Sequence, residues 1–139
     1  MQEPLTEKLL DELLSSPDPK SFLAHAKPGE RSLSEYLQQL LEEKGLERSK
    51  VVRDAGLNST FGYQVFIGAR NASRNKVLQL AFAMHLNLRE TGRLLQAAGV
   101  NELYCKNRRD AIIIFAVQKG YSLQRADEEL YRFGEETIC

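Results

Sequence analysis

Between residues 48 and 76 the chain sets six cations, Arg48, Lys50, Arg53, Arg70, Arg74 and Lys76, against one anion, Asp54. Such a cluster can attract an anionic partner, phosphate included, although a solvated basic face is the plainer explanation. The formal net charge of all 139 residues is zero, so the basic character is local. The same segment carries side-chain donors and acceptors on Asn58, Ser59, Thr60 and Gln64. Catalytic chemistry finds no footing. His25 and His85 are isolated, and His85 falls in an apolar helical pattern that reads as packed. No Ser-His-Asp or Cys-His constellation can be assembled from spacing. Neither a phosphate-binding glycine loop nor a metal-ligand cluster occurs. Cys105 and Cys139 lack metal-ligand spacing and suit a reducing compartment. Arg108-Arg109-Asp110 is a charged knot ahead of an apolar helix, where Asp110 favours the helix start for dipole reasons. No enzyme, cofactor or metal is expected.

The elements that must position these side chains are helical throughout. An apolar fraction of 42% and a charged fraction of 27% are ordinary for a globular domain. The longest apolar stretch, Ala111 to Val117, is too short for a membrane span. The opening MQEPLTEKLLDELL carries acids and no apolar signal core, so a cytoplasmic location is expected. Residues 1–31 read as an N-terminal helical arm. Leu5, Leu9, Leu10, Leu13 and Leu14 share a helical face that ends at Ser15-Ser16-Pro17, and Pro17-Asp18-Pro19 breaks it. A short segment around Ser21 to His25 and a loop at Lys27-Pro28-Gly29-Glu30 complete the arm.

Residues 32–99 read as the body. Ser32 and Glu35 form a capping box for a helix that buries Leu33, Leu37, Leu40 and Leu41 and stops at Gly45. A helix from about Arg48 to Ala55 buries Val51, Val52 and Ala55, and Gly56 turns the chain. Asn58 caps a third helix reaching to about Phe66. A loop with Gly68 follows. Ser73 then caps a helix with Val77, Leu80, Ala81 and Met84 inward, and Asn87 with Glu90 caps another with Leu88, Leu94 and Leu95 buried, ending at Gly99. Residues 100–139 read as a C-terminal helical extension. It holds a linker, a helix from about Arg108 to Lys119, and a last helix capped by Ser122 with Leu123, Ala126, Leu130 and Phe133 inward. The run from Ala111 to Val117 is apolar all round and demands cover on nearly every side, by this chain or a second copy.

With that order in view, residues 32 to 95 resemble the Cro/C1-type (Xre-like) helix-turn-helix family. "KGLERSKVVRDAGL" is similar to the start of the family's second helix, and "NSTFGYQVFIGARNAS" to its recognition helix and following loop. Glycine at position 56 permits the positive backbone angle a tight turn needs, and small or apolar Val52, Ala55, Leu57 and Val65 allow two short helices to cross closely. The resemblance implies an all-α fold with a five-helix Cro/C1 (lambda-repressor-like) body. It implies a transcriptional regulator that binds double-stranded DNA by sequence, inserting the third helix in the major groove. Ser59, Thr60 and Gln64 would then face bases, Gln64 suiting adenine. Arg48, Arg70, Arg74 and Lys76 would hold phosphates. Ser59, Thr60, Gln64, Arg70 and Arg74 should accordingly share one exposed positive face. A homodimer is expected by analogy, with the helix from Ala111 as its best contact, although an intrachain core explains that helix equally well.

Three departures from the family pattern matter. Val52 replaces a small residue and crowds the crossing. Gly62 stands where a branched apolar residue is usual, leaving space that Phe61 or Tyr63 would swing in to fill. Phe66 stands where Glu is frequent. The aromatic enrichment favours an alternative, a helix-turn-helix fold serving as a protein–protein interaction module.

Overall fold

The computed structural model describes residues 32–139, so the arm assigned to residues 1–31 lies outside the described residues. Seven helices and no strand occur among them: α1 (Leu33–Lys44), α2 (Arg48–Asp54), α3 (Ser59–Phe66), α4 (Arg74–Ala83), α5 (Leu88–Ala97), α6 (Arg108–Lys119) and α7 (Leu123–Arg132). None of the described helices is long and apolar enough to cross a membrane.

Local chemistry sets most of the boundaries. Ser32 and Glu35 exchange reciprocal hydrogen bonds at the start of α1, as do Asn87 and Glu90 at the start of α5. These boxes satisfy amide donors that a helix start leaves without partners. The Asn58, Asn107 and Ser122 side chains accept one amide each at α3, α6 and α7. Two helices lack such a bond: neither Glu47 at the start of α2 nor Ser73 at the start of α4 caps with its side chain.

The core is shared by both halves of the described chain. Helix α1 packs on α3 and α5, while α4 packs on α2, α5 and α7, and α6 on α5 and α7. Tyr36, Leu37, Leu40, Val65, Phe66, Val77, Leu80, Leu94, Leu95, Ile113, Ala126 and Leu130 belong to one buried cluster.

The helix covered on nearly every side is α4, not α6. Residues 77 to 82 of α4 are all buried, polar Gln79 included. On α6 only Asp110, Ile113 and Ala116 are buried, and Phe115 is 53% exposed. The continuous apolar run of α6 therefore overstates its burial, because its outer face meets solvent. Two further expectations fail at helix ends. His85 is not packed: it lies exposed beyond the end of α4 with φ of 57°. Phe133 turns outward, 42% exposed, beneath the Arg132 guanidinium.

Candidate functional site

Helix α3 is placed by contacts at both ends and along its inner side. The turn that precedes it is tight: Gly56 adopts φ of 76°, and the Leu57 amide donates to the Val52 carbonyl at 3.1 Å. The buried Gln79 amide of α4 donates to the Ala55 carbonyl at 2.8 Å, which anchors the turn from below. At the other end of α3, Gln38 of α1 donates to the Phe66 carbonyl at 3.3 Å. Val65 and Phe66 fill the core from the inner side and are fully buried.

The two departures at positions 52 and 62 turn out to be one feature. A methyl group built on buried Gly62 would lie 2.5 Å from Cγ1 and 2.6 Å from Cγ2 of Val52. Val52 therefore occupies the space that Gly62 leaves, so the crossing is close because the glycine makes room for a branched side chain. Phe61 is only half-buried and Tyr63 is 47% exposed, and neither is needed to fill that space.

The outer face of α3 is open. Ser59 and Thr60 are exposed at its leading edge and Gln64 is partly exposed. At about 100° of rotation per residue, Ser59, Tyr63, Ile67, Thr60 and Gln64 follow one another across an arc of about 140°. Ser59 and Gln64 form the margins of that arc. Tyr63 and Ile67, 47% and 49% exposed, lie between them. The candidate base-facing residues thus share a face, but its middle is apolar and aromatic.

Two cations frame this face. The Arg48 guanidinium lies 4.7 Å from the centroid of the Tyr63 ring, stacked rather than paired with Glu47 or Asp54. Asp54 is taken instead by Lys50 at 3.2 Å and by Arg53 at 3.8 Å. Arg70 is brought back toward α3 because the Ala69 and Arg70 amides both donate to the Gln64 carbonyl, at 2.8 and 3.2 Å. Its guanidinium lies 5.4 Å from the Phe61 ring and 3.5 Å from the Gln64 side-chain oxygen. Both arginines remain exposed.

Arg74, expected among the phosphate contacts, does not join them on this face. It makes a two-pronged pair with Asp110, at 2.9 and 2.8 Å, and donates to the carbonyls of Asn101 and Glu102 at 2.8 and 3.1 Å. All these bonds point into the seam between α4 and the start of α6. A fork matched to a carboxylate is among the strongest side-chain pairings, so this guanidinium is already engaged. Asp110 does more than complement a helix dipole, since its side chain is only 7% exposed. Burial would raise its carboxyl, but the hydrogen bond and charge of Arg74, with the Tyr104 amide and Arg109, hold it below the ordinary carboxylate value. Arg109 itself bridges Asn75 and the carbonyls of Glu136 and Thr137.

Lys76 is exposed on α4. Burial and the Asp127 carboxylate raise the Cys139 thiol, and the Lys76 charge opposes them, which puts Lys76 within electrostatic reach of residue 139. Sequence reasoning leaves Ile67 out of the open face and allows Tyr63 either to fill the space at Gly62 or to form an apolar patch on that face. The spacing 59, 60, 63, 64 and 67 was the available signal, since it traces one side of a helix. No group of residues among those described could hold a metal ion. No family model matches the chain, and no curated protein and no solved structure matches it significantly.

Proposed function

We propose that this protein is a DNA-binding transcriptional regulator that reads duplex sequence with the outer face of α3, on a five-helix body of the Cro/C1 kind formed by α1 to α5. The observation that carries this reading is the open leading edge of α3, with Ser59 and Thr60 exposed, Gln64 on the same face, and, beside it, Arg48 and Arg70, which have no ion-pair partner among the described residues. A short helix held at both ends suits the major groove. Hydroxyl and amide side chains can bond base edges, and the flanking guanidiniums supply the phosphate contacts that fix orientation. Arg74 is absent from this set, and Lys76 is a peripheral phosphate candidate. A cytoplasmic homodimer reading paired half-sites accompanies the proposal, with the exposed Phe115 side of α6 as its contact.

One observation favours a second reading, use of the same face to bind a protein: Tyr63 and Ile67 expose apolar surface at its centre. Selection of duplexes from a random pool by the full chain separates the two. The DNA reading predicts convergence on a common sequence, and loss of that convergence in a Ser59→Ala, Thr60→Ala, Gln64→Ala triple variant. A pool that never converges, with no retention at low salt, would leave the protein-binding reading in place.

A further inference from the structure

The centre of the open α3 face is uncharged and largely apolar, with the Tyr63 hydroxyl as its one polar group. Ile67 is aliphatic and 49% exposed, and Tyr63 offers a ring 47% exposed. Both are held in position. Ile67 continues α3 through its amide, which donates to the Tyr63 carbonyl at 3.0 Å. The Tyr63 ring is braced on one side by the Arg48 guanidinium at 4.7 Å. A solvent-facing pair of this kind, framed by Arg48 and Arg70 and edged by Ser59, Thr60 and Gln64, combines apolar contact with cationic margins. A duplex groove offers the complement: phosphates along its rims, base-edge donors and acceptors on its floor, and one apolar group, the C5-methyl of thymine.

Resting on the DNA-binding reading, we infer that Tyr63 and Ile67 are specificity-determining residues that recognise thymine methyl groups at the centre of each half-site. Charge complementarity selects nucleic acid as the occupant over a protein, because the apolar strip is narrow and bordered by Arg48 and Arg70. The same feature separates thymine from cytosine. An aliphatic side chain against the cytosine amino group would leave a donor without a partner, whereas the thymine methyl is buried favourably. Gln64 on the margin accepts a neighbouring adenine, so an A·T-biased core is expected.

The test removes only the methyl groups. Duplexes selected by the full chain are resynthesised with deoxyuridine replacing thymidine one position at a time, and affinity is measured at fixed salt. Each contacted methyl should contribute about fourfold, the factor corresponding to burial of one such group. The expected result is a loss of that size at one or two central positions for the wild type, abolished at the matching position in Ile67→Ala or Tyr63→Ser. Both side chains are half-exposed, so these variants should keep their thermal midpoints, which are measured alongside. Equal affinity for uracil and thymine at every position overturns the inference while the DNA-binding reading stands. Selected sites with no thymine at their centre overturn it equally. Failure to bind any duplex at low salt overturns both.

Discussion

Arg70 and Arg74 are separated by three residues yet have opposite fates. Arg70 stays at the surface beside α3, over the Phe61 ring and 3.5 Å from the Gln64 side-chain oxygen. Arg74 enters the α4–α6 seam and engages every direction of its fork, with Asp110 and two carbonyls. The seam is a closed network in which a buried carboxylate, a guanidinium and backbone oxygens satisfy one another. The α3 face is an open one, whose donors and acceptors meet solvent apart from the contact between Arg70 and Gln64. Closed networks contribute to stability, because removal of one member strands the rest. Open faces contribute little to stability and are free to meet a ligand. The difference separates the residues that hold the site in place from those that would touch a partner.

That comparison breaks most visibly at the seam. Arg74→Ala should destabilise the protein by about 3 kcal/mol, since it leaves the Asp110 charge buried without its main partner. Chemical denaturation monitored by far-ultraviolet dichroism checks this, and a loss below about 1 kcal/mol would mean that the pair is solvated.

Next in size is the Val52–Gly62 pairing. Gly62→Ala should cost about 1–2 kcal/mol, because overpacking against Val52 outweighs the helical preference of alanine. Val52→Ala should relieve it, so the double variant should be more stable than the sum of the singles predicts by about 1 kcal/mol or more in a double-mutant cycle. Simple additivity would contradict the close approach.

Acid sharpens the same contrast. The folded Asp110 carboxyl is held below its ordinary value, so its contribution is present above the unfolded value near about 4 and is lost as pH falls through the folded one. Unfolding free energy should therefore decline as pH falls below about 5, and Asp110→Asn, less stable at neutral pH, should show a flatter decline. Equal slopes would remove Asp110 from the account. The smallest stability effects belong to the open face. Arg48→Ala forfeits an exposed ring contact and Arg70→Ala an exposed ring contact with a long hydrogen bond to Gln64, so each should cost under about 1 kcal/mol.

The helices were legible because their signals are local. Ser32 with Glu35, Asn87 with Glu90, and Asn58 with the amide of Phe61 act across three residues, and their chemistry is visible in the spacing alone. The fate of Arg74 was not legible, because Asp110 lies 36 positions further on. Nothing in the residue type distinguishes it from Arg70. The pairing of Val52 with Gly62 was visible as two separate irregularities and becomes one only when α2 crosses α3. Polar letters hid the burial of α4: Gln79 interrupts its apolar pattern yet satisfies the Ala55 carbonyl from inside. The apolar letters of α6 misled in the opposite sense, because a chain this size has too little polar surface to cover itself and leaves some hydrophobes such as Phe115 outside. For the candidate site, helical spacing put Ser59, Thr60 and Gln64 together, whereas the stack of Arg48 on Tyr63 depends on packing that spacing does not encode.

The most direct test of the division between a closed seam and an open helix proposed to face DNA is the salt dependence of duplex affinity, measured on the full chain. Wild type is compared with the Arg48→Ala, Arg70→Ala double variant and with Arg109→Lys, a change at a residue that binds Asn75 and the carbonyls of Glu136 and Thr137. The account predicts binding that weakens as salt rises. The double variant should lower the slope of log affinity against log salt by about 1.8, two phosphate contacts' worth, while Arg109→Lys leaves it unchanged. Absence of duplex binding at low salt, or a double variant with the wild-type slope, would contradict it.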